Sequence, residues 1–572
     1  MIVHKLMKTL LTLLLCCVSS SAPPASSDFD ALVDRYFDAY FQFHPSSATA
    51  AGFHQYDTEI EDLAPQTVKA ELASLSQFQT EFDRFPKTQL SETAAGDFEF
   101  VDSTIKARIL DLQTTQSWRR DPDFYTQTAS GSIFLIMKRN FAPQAERLRS
   151  VIAREKQIPR LFDQARANLN NSPRVFTEIA LQQLPDTVEF FRKDVPEAFT
   201  EVKDSALLAE FKRSNEGAAA ALQNYEKFLK DTWLAKSKGD FRLGAENYRK
   251  KLLYEEMVDI PLDRLLEIGF ADLHHNQQRL KEVAAQIDPK RNPQEVLAEL
   301  QQDHPKPQDL LQTFRNKLSE LRDFIRAKNI ATVPSEILPM VEETPPFERA
   351  LTVASMDTPG AYENKATEAF FNVTLPAPDW SAQKTAEWMQ GFNRGTIAST
   401  AIHEVYPGHY FQFLWIKSAP SKTRKLLFTG ANAEGWAHYC EQMMLDEGYG
   451  NNDPKLRMGQ LQDALLRDAR YIAGIQMHTG KMTLDAAREF FINEGYQPPA
   501  VADEESKRGT SDPTYLVYTL GKLQIMKLRE DYAKLKGDSF SLKEFHDTLM
   551  LQGGVPLKII RQAMLGNNGP TL

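Results

Sequence analysis

The sequence predicts a mainly α-helical protein with one small β-sheet. Apolar residues recur at helical spacing through most of the chain, and short polar or proline-containing turns separate these segments. The exception is the stretch 333–378, where prolines become frequent and two short strand patterns occur. Helical patterns resume at Trp380 and continue towards the end of the chain. We therefore expect a large helical fold that contains a small antiparallel sheet.

The first helix is predicted for residues 28–43, with Ser27 available as its N-cap. Its apolar side chains form one broad stripe, made of Phe29, Leu32, Val33, Tyr36, Phe37, Tyr40 and Phe41. Similar stripes occur in residues 66–114, 141–170, 174–193 and 205–235.

A long helix is predicted from Pro261 to Ile287, because proline suits the first turn of a helix. It contains the adjacent residues His274 and His275. Neighbouring side chains point about 100° apart on a helix, so these two histidines make a poor metal pair and belong on its solvated side.

Two strands are predicted in the proline-rich stretch, at residues 350–355 and 370–375. A strand beside the functional site could bind an extended peptide along its edge, or the two strands could form a hairpin that only closes the domain. We expect the chain to divide into residues 1–22, a helical region 23–332 and a region 333–572 that carries the functional site. The last two are expected to form one continuous fold.

Residues 1–22 have the pattern of a secretory signal. Lys5 and Lys8 precede a short apolar run that ends at Val18, and small residues follow. The run is too short to cross a bilayer. We expect a protein that is exported to the periplasm or secreted, with lipid attachment at Cys16 or Cys17 as the alternative.

The charge balance argues against nucleic-acid binding. The formal net charge is -10, and removal of Lys5 and Lys8 with the signal would take it to -12, so no basic surface is expected for binding phosphates. Of the three cysteines only Cys440 lies outside the signal, which excludes an internal disulfide in the mature chain.

The heptapeptide from His403 to His409 has the composition of a metal site with an adjacent base. In a helical His-Glu-x-x-His motif two imidazoles share one helix face and the glutamate acts on water. Here the second histidine comes six residues after His403. A regular helix would turn His409 about 240° away, so a bulge or break is needed at Pro407 and Gly408. The alternative is that these two residues end a helix and the histidines are unrelated.

A second helical motif lies downstream, in residues 432–442. Glu434 follows His409 by 25 residues and could complete a His, His, Glu set, with His438 as the rival third ligand. Glu441 returns to within about 20° of the face of Glu434, so it could orient a liganding imidazole. The alternatives are an acidic first turn for Glu434 and a surface charge for Glu441.

The motifs at residues 403–412 and 434–441 resemble the paired signatures of the bacterial domain of unknown function 885 family. That family is grouped with the gluzincin-type metallopeptidases. Residues 44–57 and 518–521 are similar to two further elements of the family, so the resemblance covers residues 28–565. It implies a gluzincin-like pair of metal-site helices beside the sheet, favours Glu434 over His438 as the third ligand, and adds Gln412 to Glu441 as a supporting residue.

One segment departs from the family pattern. The family carries Asp-Thr-Gly shortly before a histidine, whereas Gly474 to Met477 precede His478 here. No role of that aspartate is therefore carried over to this chain.

The resulting hypothesis is a zinc-dependent peptidase. His403, His409 and Glu434 would hold Zn²⁺, and Glu404 would act as the general base towards water when a peptide substrate is bound. Tyr518 and His478 are the two candidates for a donor to the oxyanion.

Two other function classes use the same residues. One is a metallopeptidase-like protein that binds peptides or wall fragments without cleaving them, and the other is a hydrolase of a non-peptide amide or ester. Glu404 favours an enzyme, because a binding protein does not need a base beside its metal ligands.

Overall fold

The computed structural model describes residues 24–349, 352–567 and 569–572. The described chain is mainly α-helical and contains a three-stranded sheet. The predicted signal at residues 1–22, with Cys16 and Cys17, lies outside the described residues.

The first half of the chain is helical from its first described residue. Its helices are α1 (Pro24–Phe43), α2 (Pro45–Ala51), α3 (Pro65–Arg84), α4 (Glu92–Leu110), α5 (Ser117–Arg120), α6 (Asp123–Lys138), α7 (Gln144–Glu155), α8 (Ile158–Asn168), α9 (Arg174–Glu189), α10 (Val195–Glu197), α11 (Ser205–Phe228), α12 (Ala245–Glu256), α13 (Leu262–Ile287), α14 (Pro293–Leu300) and α15 (Leu310–Ala327). The apolar stripe of residues 28–43 is confirmed as the buried face of α1, where Phe29 and Tyr36 are buried. The helix begins before the predicted N-cap Ser27. Pro261 is the N-cap of α13, and His274 and His275 are exposed on that helix as expected.

The sheet consists of β1 (Met340–Glu343), β2 (Ala354–Asp357) and β3 (Phe370–Val373). The central strand is β3, whose four residues are all buried. It pairs antiparallel with β2 and parallel with β1, in the register Met340↔Phe370. The sheet is therefore mixed, and the expectation of a purely antiparallel sheet was wrong in this detail. The sequence pattern missed β1 because only Val341 of this edge strand is buried.

The remaining helices carry the functional motifs. They are α16 (Ala382–Gln390), α17 (Arg394–Glu404), α18 (His409–Ile416), α19 (Lys422–Leu426), α20 (Gly430–Asp446), α21 (Pro454–His478), α22 (Leu484–Asn493), α23 (Pro499–Ser511), α24 (Val517–Lys536), α25 (Leu542–Met550) and α26 (Leu557–Leu565). Strand β2 contacts α17, so the sheet lies beside the helix that carries His403.

Apolar packing continues across the predicted boundary at residue 332. One buried cluster joins Phe100 of α4 and Phe314 of α15 to Trp436 of α20. A second joins Leu265 of α13 to Tyr471 of α21. Burial of apolar surface therefore holds the helices around the functional motifs together with helices from the first half of the chain.

No helix in the described part of the chain is long and apolar enough to span a membrane.

Candidate metal centre

A helix break brings His403 and His409 together. Helix α17 ends at Glu404, and α18 begins at His409. Between them the amide of Gly408 donates a hydrogen bond to the carbonyl of Ile402, with an N–O distance of 2.9 Å. A Cβ atom at Gly408 would lie only 1.7 Å from the carbonyl oxygen of His403, so this close return of the chain requires glycine. The predicted break is confirmed, and the two imidazole centroids lie 4.8 Å apart.

Helix α20 adds a carboxylate to the histidine pair. Glu434 Oε2 lies 3.4 Å from His403 Nε2 and 3.3 Å from His409 Nε2. One ligand atom from each of these residues lies within 4.8 Å of the others. The structure thus brings together the three residues that the sequence analysis selected as metal ligands.

The chemistry and spacing of these three groups fit a zinc ion. Tetrahedral ligands held about 2.0–2.1 Å from zinc are themselves about 3.3 Å apart, which agrees with both distances to Glu434 Oε2. This oxygen is buried and accepts no hydrogen bond from the residues that the structure describes, although two imidazole nitrogens face it. A shared cation would satisfy all three groups.

Two glycines set the position of Glu434. Helices α20 and α24 cross at Gly435 and Gly521. A Cβ at Gly435 would lie 2.4 Å from Gly521 Cα, and a Cβ at Gly521 would lie 1.9 Å from the carbonyl oxygen of Ala431. The two backbones touch here and leave no room for a side chain larger than hydrogen. With the helices this close, Tyr518 of α24 and Glu434 of α20 line the same cavity.

Glu441 contacts His403 at Nδ1, on the side of the ring away from Glu434. Its Oε1 lies 2.7 Å from His403 Nδ1 and 3.0 Å from Arg467 Nη2, and its Oε2 lies 3.2 Å from His438 Nδ1. Burial alone would raise the pKa of Glu441, but Arg467 and the two imidazoles hold that pKa below its ordinary value. A carboxylate on Nδ1 fixes the ring so that Nε2 is available as a ligand.

His438, the rival ligand, lies outside the three-residue cluster. It contacts Glu441 and is fully buried, so its place is behind the cluster. Gln412 likewise does not reach a metal ligand. Its Nε2 donates to Asn432 Oδ1 at 2.9 Å, which ties α18 to the first turn of α20.

Glu404 is the last residue of α17 and lies next to His403 in the chain. It is buried, and burial raises the pKa of its carboxyl, as does the nearby Glu434. His403 and His409 act in the opposite direction. A raised pKa makes the carboxylate a stronger base, which favours proton uptake from water near neutral pH.

Tyr518 lies beside the cluster, and its ring centroid is 6.3 Å from that of His403. Arg508 Nη2 donates to the Tyr518 hydroxyl at 3.2 Å. The guanidinium carbons of Arg467 and Arg470 lie 5.8 and 5.0 Å from the centre of the same ring. Burial raises the pKa of Tyr518, so the hydroxyl keeps its proton.

His478 occupies a different environment. Its Nε2 lies 2.8 Å from the carbonyl oxygen of Gly509, and its ring contacts Phe241 and Tyr248. Burial lowers the pKa of His478 to about 4. In the described part of the chain, no contact joins this candidate donor to the cluster.

Arg467 and Arg508 were not predicted from the sequence. Arg467 is a charged residue inside the long, largely buried helix α21. A charged residue among apolar ones is rarely buried without a partner, and this pattern could have indicated its role. Arg508 has no such signal in the sequence, since its role depends on contacts with Tyr518 from the next helix.

A cavity of about 410 Å³ opens beside Glu434 and Tyr518. Its charged lining residues are Glu255, Glu256, Glu434, Arg508 and Asp512. The candidate ligand Glu434 and the candidate donor Tyr518 therefore face one space that is large enough for a small ligand.

Two solved structures are similar to this chain over 94% of its length. A candidate lipoprotein of unknown function from Shewanella oneidensis is 28% identical, with a TM-score of 0.77 and coverage of 94% of this chain and 99% of that one. A candidate lipoprotein from Colwellia psychrerythraea has 17% identity and a TM-score of 0.79, over 94% and 98% of the two chains, which shows a shared fold. No curated protein matches this chain.

The family comparison covers nearly the same span. The model of DUF885, described as a bacterial protein of unknown function, matches residues 45–564. That span includes both functional motifs and all of the helices that form the cluster. The chain therefore belongs to the DUF885 family of bacterial proteins.

Proposed function

We propose that this protein is a zinc-dependent peptidase of the gluzincin type. The observation that carries the proposal is the convergence of His403, His409 and Glu434 beside the buried carboxylate of Glu404. A structural metal site or a peptide-binding protein would have no need of a carboxylate base beside the ligands. The cavity next to Glu434 provides space for a substrate.

The three ligands would hold Zn²⁺, which supplies Lewis acidity at a substrate carbonyl and lowers the pKa of water. Glu404 accepts the proton of the attacking water and passes it to the leaving amine. Glu441 keeps the His403 ring in the orientation that presents Nε2.

Tyr518 is assigned the role of donor to the oxyanion. Arg508 donates to the Tyr518 oxygen, so the hydroxyl proton remains free to point into the cavity. A preorganised donor of this kind stabilises the charge that develops on the carbonyl oxygen. His478 is not assigned a catalytic role, because its Nε2 faces the Gly509 carbonyl.

The decisive experiment is the Glu404→Gln variant. It should retain zinc, because Glu404 is not a ligand, and it should lower peptide turnover by about 10² to 10⁴ fold, since an amide cannot take up the proton. Zinc stoichiometry and cleavage of a peptide library are measured on the same preparations. Glu387→Gln, at an exposed position of α16, is the matched control and should match wild type.

A wild-type protein that binds zinc but cleaves no peptide would overturn the proposal. Unchanged peptide affinity in Glu404→Gln would then indicate a binding protein. Cleavage of amide or ester substrates other than peptides would instead identify a hydrolase of a different substrate class.

We also propose that the protein is exported. The pattern of residues 1–22 is that of a secretory signal, and two proteins of similar structure are described as candidate lipoproteins. Cell fractionation tests export, and labelling with a fatty acid in wild type and in Cys16→Ser and Cys17→Ser variants tests lipid attachment. Recovery of the full-length chain in the cytoplasm alone would contradict the proposal.

A further inference from the structure

The cavity beside the metal cluster has one cationic side chain among its described lining residues. Arg508 faces four carboxylates, those of Glu255, Glu256, Glu434 and Asp512. An excess of acidic residues would ordinarily favour a cationic ligand. Whether these carboxylates would attract a cation depends on the groups that they already contact.

Two of the carboxylates are already bound by other parts of the protein. Glu255 forms an ion pair with Lys251. Glu256 accepts hydrogen bonds from the backbone amides of Gly430 and Ala431, each at 2.9 Å, at the N-terminus of α20. Glu434 belongs to the metal cluster. Three of the four acidic side chains are therefore held by groups other than Arg508, and Asp512 is the one that pairs with it.

In the described part of the chain, Arg508 uses only Nη2 as a hydrogen-bond donor. Its Nη2 donates to Tyr518 Oη at 3.2 Å and to Asp512 Oδ2 at 3.3 Å. Within the described residues, its Nε and Nη1 have no such acceptor, and 27% of its side chain is exposed. A guanidinium has five N–H groups in a planar fork that matches a carboxylate.

We propose that Arg508 binds a carboxylate of the substrate. This inference rests on the proposed peptidase function and names its substrate class as peptides with a carboxylate close to the scissile bond. The closeness follows from the geometry, since Arg508 contacts Tyr518, which lies beside His403. The cavity of about 410 Å³ is near the lower end for small-ligand pockets, and it suits a short peptide end.

The carboxylate has two possible sources, the C-terminus of the peptide or an Asp or Glu side chain. Binding is measured by titration calorimetry on the zinc-loaded Glu404→Gln variant, with one peptide prepared as free acid, as C-terminal amide and in N-acetylated form. A fourth peptide exchanges Glu for Gln at the position before the C-terminus. Loss of one charged contact should weaken binding by about 10- to 100-fold.

Weaker binding of the C-terminal amide identifies the C-terminus as the source of the carboxylate. Weaker binding of the Gln peptide identifies the side chain. Equal affinity of the acid, amide and Gln peptides would overturn the inference. Weaker binding of the N-acetyl peptide alone would also overturn it, because the acidic residues would then recognise the peptide amino group.

Variants test the residue itself. Arg508→Gln should raise KM for the preferred acid peptide by about 10- to 100-fold and leave KM for its carboxylate-free counterpart unchanged. Arg508→Lys keeps the charge without the planar fork and should fall between wild type and Arg508→Gln. Zinc content should stay at the wild-type value. Arg488→Gln, on the surface of α22, is the matched control.

The outcomes separate this inference from the peptidase proposal. An equal fall in kcat for the acid and the carboxylate-free peptide, with KM unchanged for both, would mean that Arg508 acts only through Tyr518. That result would overturn the carboxylate site while the peptidase stands. Selective binding of the acid peptide by a protein that cleaves no peptide would overturn the peptidase and leave the carboxylate site in place.

Discussion

At the scale of single residues, Glu441 fixes the orientation of the His403 ring through a hydrogen bond at Nδ1. Its carboxylate contacts His403, His438 and Arg467 and is completely buried. Glu441→Gln removes the charge that holds Nδ1 protonated and leaves Arg467 buried without its anion. We expect zinc affinity to fall by about 10 to 100 fold, as measured by competition with a chromophoric chelator.

Asp446→Asn is the control for this variant, because it removes a carboxylate from the exposed end of the same helix. It should bind zinc like wild type. Wild-type zinc affinity in Glu441→Gln would remove Glu441 from the site and return it to a purely structural role in the core.

The sequence supplied the two histidines because their spacing is local, whereas the choice of Glu434 over His438 came from the family resemblance. His403 and His409 lie six positions apart, and Pro407 with Gly408 explains how they meet. Arg508 and the neighbours of His478 could not be found in this way, because Gly509 and Tyr248 reach His478 only through tertiary packing. A histidine in a helix has the same local pattern whether it faces a cavity or a backbone carbonyl.

At the scale of elements, the crossing of α20 and α24 depends on a pair of glycines. A Cβ added at Gly435 would lie 2.4 Å from Gly521 Cα. Gly435→Ala should therefore force the helices apart and lower the free energy of unfolding by about 1–3 kcal/mol. It should also weaken zinc binding, because Glu434 is the adjacent residue. Thermal unfolding and zinc titration measure the two effects.

Gly217→Ala is the matched control, since Gly217 lies inside α11 and a Cβ there has nothing within 4 Å. The same substitution should stabilise this helix by about 0.5–1 kcal/mol. Equal behaviour of the two variants would show that the close approach of α20 and α24 is not required.

Helix positions followed from the sequence more directly than strand pairing. An apolar stripe identified α1 and a proline in the first turn identified α13, because each signal is contained in one segment. The parallel pair β1 and β3 joins residues 340–343 to residues 370–373, and nothing local distinguishes that pairing from an antiparallel one. The direction of a strand pair is set by the path of the connecting chain.

At the scale of the whole molecule, the candidate metal cluster draws its side chains from three helices. His403 comes from α17, His409 from α18 and Glu434 from α20, while Arg467 of α21 and Tyr518 of α24 complete the surroundings. An ion bound by the folded cluster has no equivalent site in the unfolded chain. Binding should therefore stabilise the native arrangement of these helices.

We expect zinc to raise the midpoint of thermal unfolding of the mature protein in proportion to the logarithm of free zinc. When free zinc is 100 times Kd, the free energy of unfolding should rise by about 2.7 kcal/mol, provided that the unfolded chain does not bind the ion. A chelator should reverse the gain in wild type. His409→Ala should be insensitive to both zinc and chelator, whereas His275→Ala, which changes an exposed histidine of α13, should respond like wild type. An unchanged zinc response in His409→Ala would place the metal at another site and remove the structural basis of the proposed peptidase.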